Sequence, residues 1–483
     1  MTQLLQMRRV LVIVLALGLF AIAARGVTDP DVWWHLRTGQ LILHDHAVPH
    51  TDPFSFTRFG QPWVNHEWLS DLLLYGLYRA TGWAGLIVSF AMLTSATFLL
   101  VFLRCPGRPY IAALATIWGA AACAPTWGVR PQMLSLFLAS VFLLILEQSY
   151  DQPKRLWWMV PLTWLWLNLH AEYALGIALL GLFLLGDGLD VTFGFADWSK
   201  MGPHLRRLAL VIAACLAVVP LNPNGVRMYS YPLETLRSPA MQSYIDEWSS
   251  PNFHQAKHLP MLLMLLAIMV AIPWSGRRLR PRELLLLLVM TGAALHSIRH
   301  VAIFALVAVP ILSGVAVEWL ERYGMAQRFA ATKQTAPRNL ALNAAVLIAF
   351  IAFTAVRVRT VLAGQSQLEA QRFPAAAVSF LSAQRPPGPL LNHYDWGGYL
   401  IWKVYPEYQV YVDGRADVYG DSFLQARAAS YYLTDAWRET IEHWEIQTVL
   451  LPPQAPLAIA LQSSPAWKQI HVDAQAVILT RTR

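Results

Sequence analysis

Of 483 residues, 56% are hydrophobic and only 14% charged, and the mean hydropathy of +0.41 is too high for a soluble protein of this size. The net charge of +8 does not point to nucleic acid, because the basic residues form short clusters between apolar runs, where the positive-inside rule accounts for them. The three cysteines, Cys105, Cys123 and Cys215, sit in or beside apolar runs, which excludes a disulfide framework, a CxxC pair or a zinc pattern.

Residues 10–24, after Met7-Arg8-Arg9, read as a first span. Ala21-Ile22-Ala23 resembles a signal-peptidase site, so cleavage is an open alternative. The loop that follows, 25–83, is polar and aromatic: it opens with Asp29-Pro30-Asp31-Val32-Trp33-Trp34-His35-Leu36-Arg37-Thr38-Gly39 and closes with Asn65-His66-Glu67-Trp68-Leu69-Ser70-Asp71. A mere connection between two helices has no need of so many carboxylates and histidines, so chemistry is expected here. The tryptophans suit a membrane interface and predict two helices lying on the bilayer, over 31–44 and 65–81.

Further apolar runs near 84–103, 110–127, 131–147, 156–170, 173–190, 207–221, 260–274, 283–298, 301–319 and 340–357 bring the expected spans to eleven. Alternate loops carry most of the basic residues, among them Arg104, Arg108, Lys154, Arg155, Arg277, Arg278, Arg280, Arg282, Arg328 and Lys333. That asymmetry places the N-terminus in the cytoplasm and the tail outside it. In the tail, short β-rich runs at 388–391, 409–412, 447–451 and 476–479 alternate with helical stretches such as Asp435 onward to 444. The expected architecture is a polytopic α-helical transmembrane domain over 1–360 and a small extracytoplasmic α/β domain over 361–483.

The unusual polar clusters all fall on the outer side of this topology, which suggests one membrane-level site built from several loops. Asp31 and His35 share a helix face, as do Glu67 and Asp71. A carboxylate there can deprotonate an acceptor hydroxyl or hold a divalent cation against a phosphate. Capping of the following helix is the alternative role for Asp29 and Asp31. His170 and Glu172 stand nearly at membrane depth, as site residues or as the polar turn of a tight hairpin. Arg130, Arg227 and Arg299 read either as a phosphate clamp or as interfacial anchors on lipid head groups. Cys123 reads as a small buried side chain.

These residues resemble the GT-C superfamily of polyprenyl-phosphate-dependent glycosyltransferases. Asp29 through Arg37 is similar to the Asp-containing, aromatic, Arg-ending opening of the oligosaccharyltransferase catalytic subunit, and the DxxWHLRTG pattern resembles bacterial GT-C-like proteins. Tyr394-Asp395-Trp396-Gly397-Gly398-Tyr399 resembles that family's external tryptophan-aspartate-glycine motif, which reads the acceptor. In the second external loop Arg130 stands in place of a DxD motif.

The resemblance implies transfer of a sugar or glycan from a polyprenyl-phosphate-linked donor to a protein, lipid or glycan acceptor on the extracytoplasmic face of a bacterial inner membrane. It implies Asp31 as the activating carboxylate with Glu67 second, and Mg or Mn as a cofactor held at Asp31. It places Arg37, Arg130 and Arg299 on the phosphate side with Arg227 as a further clamp residue, His35 and His66 among the substrate-binding residues, His170 and Glu172 along the pocket, and Asp395, Trp396, Asp413 and Arg415 against the acceptor. A transporter or flippase for a lipid-linked precursor is the rival, though no inverted repeat is visible in the sequence.

Overall fold

The computed structural model describes residues 6–325, 337–434 and 437–482; Arg328, Lys333 and Asp435 lie outside the described residues. Every apolar run forms a helix. Among the described residues, six helical stretches are long and apolar enough to cross a membrane: Trp68–Arg104, Tyr173–Thr192, Trp198–Leu221, Ala256–Ser275, Ile298–Arg322 and Asn339–Arg372. The other runs make shorter helices: Met7–Ala23, Pro109–Cys123, Gln132–Gln148, Met159–Leu169 and Pro281–His296. Met159–Leu169, with 11 residues, is shorter than the hydrocarbon core of a bilayer, since a helix rises about 1.5 Å per residue.

The chain divides into two compact units. The first comprises Met1–Arg25, Ile87–Asn222 and Asp246–Val361. Its axis is the helix Val301–Arg322, buried along nearly its whole length and packed against Pro109–Cys123, Leu259–Ser275 and Pro281–His296. Gly119 permits the closest approach, because a Cβ there would overlap Val309. Arg104 grips Glu147 with two nitrogens, at 2.9 and 2.7 Å. Cys123 is fully buried.

The second unit comprises Gly26–Leu86, Pro223–Ile245 and Leu362–Arg483, so the first polar loop folds together with the tail. The loop supplies the helix Val32–Asp45 and the start of Trp68–Arg104, which is interrupted at Gly82 by a left-handed, non-helical residue. Both pieces lie where the sequence predicts helices. Trp33 and Trp34 do not present their rings to a membrane interface, however. Both are buried, and Trp33 meets Trp83, Phe373 and Tyr399 edge-on at 4.8–5.4 Å. Aromatic clustering inside the unit takes the place of membrane anchoring.

The tail holds a four-stranded sheet in the order β1 (Leu390–Asn392), β2 (Thr448–Leu451), β4 (Val477–Arg481), β3 (Trp467–Val472). β1 runs parallel to β2, and the remaining pairs are antiparallel. The run 409–412 is not a full strand: Val410 makes only isolated bridges to Ser55 and Leu390. The strand β3 was not expected from sequence. It is an edge strand with Lys468 and Gln469 exposed, so its hydrophobic signal is weak.

Candidate active site

The helix Val32–Asp45 carries the central residues of the second unit. Asp31 stands at its N-cap yet makes no side-chain capping bond; Asp29 instead accepts a hydrogen bond from the Asp31 amide. The Asp31 carboxylate lies against Gly414, where a Cβ would overlap Oδ1. It also stands near Tyr394, whose hydroxyl is pushed well above its ordinary range by burial first and by the Asp31 charge second.

One turn on, His35 is buried between two acids. Its Nδ1 is 2.6 Å from Asp71 Oδ1 and its Nε2 is 3.5 Å from Glu67 Oε2. The Asn65 amide donates to the second Asp71 oxygen at 3.1 Å. Burial works against the imidazolium, but the Asp71 hydrogen bond and the Glu67 charge override it and raise the His35 pKa. Glu67 also faces His66 Nε2 at 3.5 Å. His66 rests on the Tyr231 ring, and Tyr231 donates its hydroxyl to Asp417 at 3.1 Å. The loop and the tail thus build a continuous chain of acids and imidazoles, the arrangement that general acid–base chemistry needs. Asp417 and Tyr231 were not singled out from sequence. Asp417 is three residues from Gly414, and its carboxyl is raised by burial.

Other expected site residues are engaged in the architecture of this unit. Arg37 donates to the carbonyls of Ile401 and Tyr405 at 3.1 and 2.6 Å and so ties two helical segments together. Asp413 and Arg415 form a buried pair, with Asp52 as a second acid 2.8 Å from the guanidinium, and Tyr419 donates to Asp413 at 2.7 Å. A buried network of this kind fixes the backbone. Trp396 is buried against His393, while Asp395 is exposed. Arg227 is exposed and pairs with Glu234 at 3.3 Å; it belongs to the second unit, whereas Arg130 and Arg299 belong to the first.

In that first unit, Arg130 and Arg299 line a cavity of about 80 Å³ with Glu172 and Glu247. Arg130 is bidentate on Glu247, its Nη2 at 3.0 Å. Arg299 donates from Nε to Glu172 at 2.7 Å, stacks on Trp248 and reaches His170 Nε2 at 3.3 Å. His170 Nδ1 lies 2.9 Å from the Ser135 hydroxyl. Burial opposes ionisation of Glu172, but the Arg299 and His170 charges hold its carboxyl below the usual range. Glu247 was missed from sequence. The available signal was an acid beside a tryptophan, Glu247-Trp248, in a long outer loop.

No group of three or more His, Cys, Asp or Glu side chains among the described residues is arranged to hold a metal ion. Near Asp31, the oxygens of Asp71 and Glu67 face imidazoles and those of Asp413 and Asp52 face Arg415.

No protein-family model and no curated protein matches the chain by sequence. Its fold is similar to that of the archaeal oligosaccharyltransferase AglB from Archaeoglobus fulgidus in complex with an inhibitory peptide and a dolichol-phosphate, at TM-score 0.56 and 13% identity, covering 91% of this chain and 69% of that one. The apo form of the Archaeoglobus fulgidus oligosaccharyltransferase superposes with TM-score 0.54 and 12% identity over 91% and 69% of the two chains. ArnT from Cupriavidus metallidurans bound to undecaprenyl phosphate gives TM-score 0.51 and 14% identity over 97% of both chains. At 12–14% identity the likeness shows the fold, which is that of AglB and ArnT, and six helices among the described residues are long and apolar enough to cross a membrane.

Proposed function

We propose that the protein is a GT-C-type membrane glycosyltransferase, moving a sugar or glycan from a polyprenyl-phosphate-linked donor to an acceptor on the extracytoplasmic face. The observation that carries this reading is the half-buried Asp31 one turn from the buried His35–Glu67 pair, in a fold shared with AglB and ArnT. In this mechanism the Asp31 carboxylate takes the proton of the acceptor nucleophile as that atom bonds to the anomeric carbon. The bond from that carbon to the donor phosphate breaks, and the polyprenyl phosphate leaves with the electron pair. His35 and Glu67 position the acid–base groups. A departing phosphate needs positive charge, and within the first unit Arg130 and Arg299 bring two guanidinium groups to one cavity.

Eleven spans, with the N-terminus inside and the tail outside, belong to the same proposal; the alternation of basic loops supports the orientation, and six of the helices are long and apolar enough to cross. The division at 360, with a transmembrane part before it and an extracytoplasmic domain after it, belongs to the same proposal. The likeness to an oligosaccharyltransferase named with a dolichol-phosphate and to ArnT bound to undecaprenyl phosphate supports the transferase reading over the flippase reading. The test is purified protein in detergent, with no second compartment, given polyprenyl-linked sugars and an envelope-derived acceptor pool. Release of polyprenyl phosphate coupled to acceptor labelling supports the proposal; intact donor at every time point overturns it.

A further inference from the structure

The tail contains a second cleft, of about 20 Å³, between the strand β1 and the helix Asp421–Tyr431. Arg427 reaches into it from the helix, with its guanidinium 4.9 Å from the Tyr394 ring centroid and 5.9 Å from that of Tyr431. Two aromatic faces hold the group in place, but Arg427 has no hydrogen-bond or ion-pair partner among the described residues. Opposite it, His393 packs edge-on to Tyr431 at 5.5 Å, and its Nδ1 is buried without a partner. Buried polar atoms are nearly always satisfied, and here an orphaned ring nitrogen and an unpaired guanidinium line the same cleft. The other polar groups of the cleft are engaged: Asn392 donates to Val412 and accepts from the Tyr411 amide, and Ser430 bonds Thr440.

We propose that Arg427 and His393 form an oxyanion site, binding a carboxylate or phosphate group of the acceptor. A planar guanidinium donates two parallel bonds to such a group, and an imidazole N–H completes the shell. Burial, together with the Arg427 charge, holds the His393 imidazole below its usual range in spite of Asp395, so a neutral ring presents one N–H. The identity of the occupant as acceptor rests on the glycosyltransferase reading: Tyr394, which floors the cleft, also donates to the Gly414 carbonyl at 3.3 Å and stands beside Asp31. The anion site itself does not rest on that reading.

The test is phenylglyoxal labelling of the full-length protein in detergent, followed at Arg427 by peptide mass spectrometry. Inorganic phosphate and acetate are compared with chloride at equal ionic strength, and phosphatidylglycerol nanodiscs are compared with phosphatidylcholine nanodiscs. Phosphate or acetate should slow labelling of Arg427 where chloride does not; protection by phosphatidylglycerol alone would name a lipid head group as the source. His393→Phe, which keeps a ring in place, should weaken protection roughly tenfold, the scale of one hydrogen bond to a charged group. Equal labelling in all conditions, or protection untouched by His393→Phe, overturns the site. In a transfer assay Arg427→Gln should raise the acceptor KM and leave the donor KM unchanged. Protection without that KM change overturns the acceptor as occupant and leaves the anion site standing, whereas absence of any transfer counts against the glycosyltransferase reading alone.

Discussion

His35 Nδ1 lies 2.6 Å from Asp71 Oδ1, across 36 residues of sequence, and both side chains are shut off from solvent. This contact joins the two ends of the first polar loop, and it makes the second unit sensitive to pH. The His35 pKa is raised: burial lowers it, but the Asp71 hydrogen bond and the Glu67 charge more than compensate. His66 is raised in the same sense, with burial overridden by Glu67. A histidine whose folded pKa is raised contributes stability that is fully present below its ordinary value of 6.5 and is lost as pH rises through the folded value. Thermal melting in detergent should therefore weaken as pH climbs above about 6.5, and His35→Gln should flatten the slope. A melt that strengthens over that window would contradict the buried imidazolium.

Asp31→Asn should leave the fold intact, because Asp31 makes no side-chain capping bond for asparagine to lose. If the carboxylate takes the acceptor proton, turnover should fall by roughly two to four orders of magnitude. Transfer at the unchanged rate would move the base assignment to Glu67.

Gly414→Ala tests the same carboxylate from the opposite side. An added methyl would occupy the place of Asp31 Oδ1, so the side chain must turn away from the site. The variant should reproduce much of the Asp31→Asn loss while Arg415, Asp413 and Asp52 keep the local backbone. Full activity would show that the Asp31 rotamer is immaterial.

Arg415→Met should act on stability rather than on acceptor recognition. Removing the guanidinium leaves Asp52 and Asp413 buried without their shared counter-charge, a loss of about 3–5 kcal/mol by the usual behaviour of broken buried pairs. Denaturant titration reads the loss directly. A variant that melts as wild type but has a raised acceptor KM would return Arg415 to the acceptor site.

Much of the helical architecture was legible because each apolar run reports its own burial, independently of what it meets. Gly82 could likewise be read as the break between a polar-loop helix and a span. Side-chain destinations were less legible. Trp33 and Trp34 carry the same local signature whether they meet lipid or Tyr399 and Phe373, and only the tertiary fold decides. Arg37, Arg130 and Arg415 are alike in sequence, yet one bonds carbonyls, one a glutamate and one two aspartates, at separations of up to 368 residues. The fold of Glu247 onto Arg130 is long-range pairing that no local pattern encodes.

Glu247 provides the test of the arginine cavity. Burial opposes its ionisation, but the Arg130 charge and hydrogen bonds hold the carboxyl below its ordinary range, so it remains an anion on Arg130 at neutral pH. A donor phosphate that binds Arg130 must compete with this internal carboxylate. Glu247→Gln removes the competitor while keeping the shape, and the donor KM should fall roughly tenfold, the worth of about one charge-assisted hydrogen bond. Arg130→Gln should raise the donor KM by a similar factor. If the pair only braces the loop, both variants should instead lower the melting temperature together and leave the donor KM where it was. A double-mutant cycle separates the cases, because a bracing pair shows coupling in stability and a competing pair shows opposite signs in donor binding.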